Sequence, residues 1–345
     1  MPFHLVLPGL LWPQKALRDT AHDLLLPNLS WLLGRGRLDL QDPLPLENWL
    51  CREFGCYRDQ QSPPAAALRL LGEGGSPGAD IWLCADPMHM RIEQGRARLL
   101  GSDLAISTAE MQQLADALIP FFTEIGAFQT GVPGHGYLRL NKMPRLLAKP
   151  PSAAAGRGTL LPAGEDAALW MHLGNEAQML LHALPLNTRR EAAGRPRINS
   201  LWFWGAGSLP ASTATATAAA VAGYQSMRGD QPLLKGLAKW AGIAHYPAVS
   251  NPPTSLGPRE PILLLLDELQ QAAQTLDAGV WRDAIMGIEQ GWLTRLCTAL
   301  RSGRLDSLRL TALGDEACLE VRVTRSDAMK FWRRPRPLHE MDFGQ

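Results

Sequence analysis

Short apolar runs that alternate with helical stretches are the feature that most constrains the fold of this chain. Phe3–Leu7, Ile81–Cys84 and Pro261–Leu266 are such runs, and near-continuous apolar segments are typical of strands buried in a parallel sheet. Ser107–Phe122 and Glu165–His182 have apolar residues at helical spacing instead. Buried strands that alternate with helices predict an α/β fold with a mostly parallel sheet flanked by helices.

Charge, length and cysteine content narrow the class of protein. The 345 residues are 46% hydrophobic, which is enough for a large core, and a net charge of +1 gives no general attraction to nucleic acid or membrane. No apolar run is long enough to cross a bilayer, and the N-terminus lacks the basic region of a signal peptide. The five cysteines form no Cys-x-x-Cys pair, so we expect reduced thiols, a cytoplasmic protein and no zinc site.

The segment Gly74–Pro87, GGSPGADIWLCADP, raises the question of function. Its glycine, serine and proline residues predict a loop, and the apolar residues that follow predict a buried strand. A small loop beside a buried strand is a common position for a reacting group. The residue between Gly78 and Asp80 is Ala79, however, and its methyl group has no chemistry to offer.

Several segments in the same order resemble the cofactor-independent phosphoglycerate mutases, most closely the archaeal-type branch within the alkaline phosphatase superfamily. They are FHLVLPGLLWP, LPNLSWLLGRGRL, SPGADIWLCADP, LHALPLNTRREAAGRPRINSLWFWGAG and YQSMRGDQPLLKGLAKWAGI. The resemblance implies an alkaline-phosphatase-like core made of residues 1–95 and 196–345. Residues 96–195, which have the composition of a smaller α+β insertion, would form an inserted domain.

The resemblance also implies a phosphoryl-transfer site whose chemical groups this chain lacks. In the family, two divalent metals held by Asp and His side chains activate a serine that carries the phosphate. The serine position is Ala79, the first metal-binding aspartate aligns with Pro8, and two histidine positions align with Gln271 and Glu316. We therefore expect no catalytic residue at these degenerate positions, no bound metal and no cofactor.

The ligand-facing motifs of the resemblance are better preserved. The candidate ligand-binding residues are His135, Asn187, Arg189, Arg190, Trp202, Trp204, Gly205 and Gly207. An arginine before the WFWG block reaches a carboxylate or phosphate in the family, and the alternative is that both arginines are solvated loop charges. His135 either contacts an anion or is a surface histidine. Trp202 and Trp204 either form a platform for the ligand or belong to the wall or core of the protein. The glycines permit close backbone approach. The implied ligand is a small phosphorylated or carboxylate compound.

The C-terminal segment and a narrower resemblance favour a regulatory role. Arg333, Arg334 and Arg336 beside Phe331 and Trp332 form either a solvated tail, which the neutral overall charge favours, or a docking surface for an acidic partner or nucleic acid. The order of ADPMHMR, GNEAQMLLH, NSLWFWGAGSLP and FWRRPRPL resembles bacterial RpfE-type regulatory proteins.

Two functions remain open from the sequence, besides that of a structural or interaction module that works through the basic tail at residues 331–345. The first is a catalytically inactive phosphoglycerate-mutase-like protein that binds a regulatory ligand or partner, with no role for nucleic acid or membrane. The alternative is an active mutase or phosphatase with a relocated nucleophile, for which Ser76, three residues from Ala79, is the candidate.

Overall fold

The computed structural model contains two compact units. It describes residues 2–57, 62–93, 96–99, 104–154, 161–211, 223–249, 261–275 and 277–342. The first unit comprises Met1–Leu46, Gly223–Gln231 and Ile243–Gln345, and the second comprises Glu47–Ala222 and Pro232–Gly242. The bounds of these units differ from those of the expected segments 1–95, 96–195 and 196–345. The expected division of the chain into a core and an inserted domain stays a prediction.

The strands and helices follow one another along the chain with short connections. The strands are β1 (Pro2–Leu11), β2 (Arg37–Gln41), β3 (Ile81–Met88), β4 (Met90–Glu93), β5 (Arg96–Leu99), β6 (Gly126–Thr130), β7 (Gly136–Leu140), β8 (Ser200–Gly207), β9 (Ser226–Arg228), β10 (Ala244–Tyr246), β11 (Ile262–Leu265), β12 (Ser307–Gly314) and β13 (Cys318–Thr324). The helices are α1 (Gln14–Ala21), α2 (Pro27–Arg35), α3 (Leu46–Glu53), α4 (Ala65–Gly72), α5 (Thr108–Phe121), α6 (Pro151–Ala154), α7 (Ala167–His182), α8 (Pro185–Ala192), α9 (Pro232–Ala241), α10 (Glu268–Thr275), α11 (Ala278–Ile288), α12 (Thr294–Arg301) and α13 (Arg325–Ala328). A π-helical turn, Glu289–Leu293, joins α11 to α12, and a 3₁₀ turn forms at Leu338–Glu340.

The first unit is built on a seven-stranded sheet in the order β10-β9-β11-β1-β12-β13-β2. The five strands from β10 to β12 are parallel to one another, and β13 and β2 add antiparallel at one edge. The predicted α/β class with a mostly parallel sheet flanked by helices is therefore confirmed. Apolar faces of α2, α11 and α12 pack with the sheet in one buried core.

One strand end differs from the sequence prediction. The apolar run predicted as a strand ends at Leu7, but β1 continues through Pro8 and Gly9 to Leu11. The pairing register with β12 shifts between Pro8 and Leu11, so the strand passes the proline through an irregularity. A bulge of this kind accommodates a residue without an N–H donor inside a sheet.

The second unit is built on a four-stranded antiparallel sheet in the order β6-β7-β3-β8. Both the GADIWLCADP strand (β3) and the WFWG strand (β8) lie in this sheet and pair with each other. Helices α5 and α7 share a buried apolar core with the sheet. Helix α5 begins at a capping box formed by Ser107 and Glu110, as the sequence predicts for Ser107. No helix among the described residues is long and apolar enough to span a membrane.

Candidate functional site

The first unit carries three of the degenerate catalytic positions. Pro8 is buried in β1 and pairs with Leu313 of β12, so it offers neither a donor nor a free oxygen. Gln271 is exposed on α10. Glu316 is exposed after β12, and its Oε2 accepts a hydrogen bond from the backbone nitrogen of Gln14 at 3.0 Å.

Carboxylates do gather near the carboxyl ends of β9 and β11 in this unit. Asp267 accepts a hydrogen bond from Nε2 of Gln231 at 2.5 Å. Burial, together with the negative charges of Asp267 and Asp230, raises the pKa of Glu268. Among the described residues, however, no group of three or more His, Cys, Asp or Glu side chains is arranged to hold a metal ion.

These side chains do not fit the two-metal centre that the resemblance implies. Divalent transition metals need three or four converging ligands, with nitrogen, oxygen or sulfur donors. Proline has no donor side chain, and a glutamine amide is an uncharged substitute for the imidazole that the alignment expects at Gln271. We therefore derive no reaction step through a metal.

The loop that contains Ala79 lies in the second unit and is anchored by its neighbours. The carbonyl oxygen of Pro77 accepts a hydrogen bond from the indole nitrogen of Trp82 at 2.9 Å. Asp80 forms an exposed ion pair with Arg139 at 3.6 Å. Ala79 itself is exposed in the turn, as is Ser76. The position expected for the nucleophile thus presents a methyl group to solvent.

A buried ion pair joins the helix before this loop to the strand after it. Arg69 of α4 donates from Nη1 and Nη2 to the two carboxylate oxygens of Asp86 in β3, at 2.8 and 2.7 Å. The same carboxylate accepts from the indole nitrogen of Trp204 at 2.7 Å and from the backbone nitrogen of Gly136 at 3.2 Å. Asp86 is 4% exposed. Burial alone would raise its pKa, but the charge and hydrogen bonds of Arg69 outweigh that effect and lower it.

Glu73, at the end of α4, extends this network toward the surface. Its Oε1 accepts from the hydroxyl of Tyr137 at 2.8 Å and lies 2.5 Å from Nδ1 of His135. Its Oε2 accepts from the backbone nitrogen of Val132 at 3.1 Å. Burial would raise the pKa of Glu73, but His135 and Arg69 together lower it. We call the six side chains that share these contacts the Arg69–Asp86 network; they are Arg69, Glu73, Asp86, His135, Tyr137 and Trp204.

His135 is the member of the network that reaches solvent. Its side chain is 29% exposed, whereas that of Glu73 is 4% exposed. Since Nδ1 faces Glu73, the other ring nitrogen, Nε2, has no hydrogen-bond partner within the described part of the chain. A ring oriented in this way presents one nitrogen to a ligand.

Asn187 and Arg190 have their polar groups directed at internal partners. They lie on α8, which begins at Pro185, so this segment is helical and not the loop that the sequence suggests. The Asn187 amide donates to the carbonyl oxygens of Leu181 and Ile198, both at 2.8 Å, and accepts from the Ile198 nitrogen at 2.7 Å. Arg190 is 1% exposed and pairs with Glu110 at 2.9 Å. Arg190 is therefore not a solvated loop charge, and a ligand-binding role for Asn187 and Arg190 stays a prediction.

Arg189 is the exposed member of this group, and it donates to the side-chain oxygen of Gln113. The first indole of the WFWG motif, Trp202, donates to the carbonyl oxygen of Lys149 at 2.8 Å. Gly205 and Gly207 lie against the start of α4. A Cβ on Gly207 would be 2.7 Å from Cα of Pro64, and Gly205 has φ +67°. Their roles in ligand binding stay a prediction.

Trp202 also borders a cavity of about 350 Å³ beside β8. Trp170 and Gly174 of α7 form part of its wall, and Gln178 and Ser200 add polar groups to a mainly apolar lining. Cavities of this size and composition accept small organic ligands.

Sequence reasoning missed Arg69, Glu73 and Tyr137. Arg69 and Glu73 are an i,i+4 pair, but Asp86 and Tyr137 lie 17 and 68 residues from Arg69 along the chain, so no local pattern connects the network as a whole. One signal was present: Arg69 is a lone charge in the otherwise apolar helix AAALRLLG, and a buried charge requires a partner.

Comparisons with known proteins agree with part of the resemblance. No family model matches the chain. A probable 2,3-bisphosphoglycerate-independent phosphoglycerate mutase from Geobacter sulfurreducens is 32% identical over 204 residues, which is 53% of this chain and 49% of that protein. Over this stretch the two proteins are distantly homologous. The chain thus spans about half the length of the curated relative it matches, and an RpfE-type assignment stays a prediction.

Two solved structures are similar to the model. The PH0037 protein from Pyrococcus horikoshii has a TM-score of 0.53 at 15% identity, over 96% of this chain and 90% of that one. A cofactor-independent phosphoglycerate mutase from Thermoplasma acidophilum has a TM-score of 0.47 at 18% identity, over 98% and 93% of the two chains. The likeness to the Pyrococcus protein concerns the fold alone.

Proposed function

We propose that this protein is a phosphoglycerate-mutase-like protein that does not transfer phosphoryl groups and instead binds a small phosphorylated or carboxylate ligand in a regulatory role. Distant homology to a probable mutase supports the family likeness. The observation that carries the loss of activity is the exposed methyl group of Ala79 in the loop where the resemblance expects a serine. A methyl group cannot attack phosphorus or hold a phosphate.

The donor set of the first unit supports the same proposal. Pro8 lacks a donor, Gln271 lacks charge, and Glu316 is already bonded to the backbone of Gln14. The nucleophile and the ligands of a two-metal centre act as a unit in catalysis. When both are lost, the groups that remain do not provide part of the activity.

His135 is the residue we expect to contact the ligand. Glu73 fixes the ring through Nδ1, and a ring protonated on both nitrogens donates from Nε2 to a phosphate or carboxylate oxygen. The buried ion pair between Arg69 and Asp86 holds the elements on which Glu73 and His135 lie. These residues position the histidine and do not themselves contact the ligand.

Turnover and binding assays test the two halves of the proposal separately. With Mg²⁺ or Mn²⁺ present, we expect purified protein to show no interconversion of 3- and 2-phosphoglycerate above the rate without protein. In a calorimetric titration with 3-phosphoglycerate, we expect binding that His135→Gln weakens. His172→Gln is the matched control, because His172 also pairs with a glutamate, Glu176 at 3.3 Å, but on the exposed face of α7. Equal loss of binding in both variants would contradict the role of His135.

The alternative function has one observation in its favour. Ser76 is exposed in the same loop as Ala79 and carries a hydroxyl group. Metal-dependent turnover that disappears in Ser76→Ala, together with a phosphorylated Ser76 detected by mass spectrometry, would overturn the proposal and establish a relocated nucleophile.

A further inference from the structure

We propose that the C-terminal surface of the first unit docks an acidic segment of a partner protein. This surface consists of Phe331, Trp332 and a neighbouring pocket of about 490 Å³. Its lining residues are Gly34, Gly36, Leu38, Arg333, Arg334 and Arg336. The proposal is independent of any ligand at His135.

The segment that carries these side chains is bound to α2 through its backbone. The guanidinium of Arg35 donates to the carbonyl oxygens of Lys330 and Phe331. In return, Nη1 of Arg333 donates to the carbonyl oxygen of Arg35 at 2.8 Å. The backbone nitrogen of Arg336 donates to the carbonyl oxygen of Ser30 at 2.9 Å. These bonds order the segment before a partner arrives, which lowers the entropic cost of binding.

Gly34 is required for this close approach. A Cβ placed on Gly34 would lie 2.1 Å from the carbonyl oxygen of Arg334 and 2.8 Å from Cα of Pro335. Both contacts are with backbone atoms, which cannot rotate away as the end of a side chain can. The sequence therefore has a glycine on α2 where the C-terminal segment crosses it.

The charges of this surface are left for a partner. The guanidinium groups of Arg334 and Arg336 have no hydrogen-bond or ion-pair partner within the described ranges. The acidic residues on the two sides of these arginines have other partners: Asp327 pairs with Lys330 at 2.6 Å and caps α13 with Thr324, and Oε1 of Glu340 lies 3.9 Å from Nε2 of His339. Free guanidinium groups that border a concave surface are suited to carboxylates, which they bind with two parallel hydrogen bonds.

Two aromatic side chains add an apolar contact beside the charges. Phe331 and Trp332 are 82% and 67% exposed, and their rings pack edge to face with centroids 5.3 Å apart. Tryptophan and arginine are enriched among the residues that contribute most binding energy at protein interfaces, and adjoining exposed apolar side chains rimmed by polar residues mark interaction sites. A partner segment with acidic and apolar residues complements both halves of the surface.

Charge distribution favours an acidic protein over a nucleic acid as the occupant. Nucleic-acid affinity depends on neutralising many phosphates along a backbone, which requires an extended basic surface. This chain has a net charge of +1, with 34 basic and 33 acidic residues, so the positive charge is local. Three arginines around one pocket are enough for the few carboxylates of a short peptide.

Fluorescence anisotropy with labelled probes tests the proposal. The probe is a short peptide in which Asp and Glu alternate with Leu and Phe. Two probes serve for comparison: the same peptide with Asn and Gln in place of Asp and Glu, and a single-stranded DNA of similar length. We expect the acidic peptide to bind, with an affinity that falls as salt rises. The double variant Arg334→Glu/Arg336→Glu should weaken binding at least about tenfold, and Trp332→Ala should weaken it by a similar factor.

The double variant Lys235→Glu/Lys239→Glu is the matched control. These two lysines are exposed on α9, and the substitution changes the net charge by the same amount. Circular dichroism of each variant checks that it is folded. Binding equal in the two double variants, tighter binding of the DNA than of the acidic peptide, or no binding of the peptide to the wild-type protein would each overturn the proposal.

Discussion

Replacing Asp86 by asparagine tests whether the Arg69–Asp86 network holds the second unit together. The carboxylate accepts two hydrogen bonds from Arg69, one from Trp204 and one from the backbone of Gly136. The amide of asparagine has nearly the same shape, but it accepts at one atom only and carries no charge. Asp86→Asn therefore removes the carboxylate that is hydrogen-bonded to the Arg69 guanidinium, 5% exposed, and leaves it Glu73, whose Oε1 is 3.9 Å from Nε, as a more distant counter-charge.

The expected loss is large compared with the stability of a typical protein. Removing one partner of a buried ion pair costs about 3–5 kcal/mol, because the other charge stays buried and unpaired. Net stabilities of folded proteins are about 5–15 kcal/mol. The matched control is Asp80→Asn, in the neighbouring loop. Asp80 pairs with Arg139 at 3.6 Å and both side chains are more than half exposed, so we expect a loss below about 1 kcal/mol.

Urea unfolding, followed by tryptophan fluorescence, gives the free energy of unfolding of both variants, and circular dichroism shows whether the chain unfolds in one step or two.

The pH dependence of the unfolding free energy is a second test. Because the folded-state pKa of Asp86 is lowered, its stabilisation is complete at neutral pH and is lost as the pH falls through that pKa. Asp86→Asn should remove this part of the acid sensitivity. A stability within about 1 kcal/mol of that of Asp80→Asn would refute the reasoning.

Three further predictions concern other buried or close contacts. Hydrogen bonds from Ser107 and Arg190 outweigh burial and lower the pKa of Glu110 from 4.5 to about 2, so the stability that the carboxylate provides is lost as the pH falls from 4.5 toward 2. In Glu110→Gln, the urea midpoint should therefore change less with pH over that range. A pH dependence equal to that of the wild-type protein would contradict this. Asn187→Ala removes three internal hydrogen bonds and should lower the free energy of unfolding, measured by urea titration, by about 2–4 kcal/mol. A loss below about 1 kcal/mol would argue against a structural role for Asn187. Gly34→Ala should release the C-terminal segment from α2, which is measured as faster cleavage by trypsin near residue 334. Gly287→Ala is the control and should leave cleavage unchanged, because a Cβ there meets no atom within 4 Å. Equal rates of cleavage in the two variants would oppose the packing argument.

The fold was predictable to the extent that periodicity and capping signals are strong. The buried runs at Phe3–Leu7 and Pro261–Leu266 lie in β1 and β11, and Ser107 caps α5. The sequence gives weaker signals for β2 and β10, because both are short and mainly polar or exposed. Pro185 follows the predicted helix Glu165–His182 and begins α8, because proline is favourable at the first position of a helix.

The candidate site was predictable only where one residue carries the argument by itself. Ala79 needs no partner to be recognised, since the type of side chain settles what it cannot do. Arg69 and Tyr137 could not be found in this way, because their role depends on Asp86 and Glu73, which other elements of the unit carry. Asn187 and Arg190 show the opposite case: motif residues that suggest a ligand have their polar groups bonded inside the protein.

The same contacts show why likeness in sequence and likeness in activity are separate questions. Asp86 and Trp204 belong to the motifs that resemble the mutase family, and in this structure they bond to each other in a buried network. A change at either position would therefore lower stability whatever the protein does. Ala79 is exposed, and exchanging serine for alanine there exposes or buries almost nothing. The scaffold residues are constrained by folding, whereas residue 79, which our proposal treats as the lost nucleophile position, is not. Likeness in the scaffold therefore carries no information about turnover, and the proposal of an inactive protein rests on residue 79.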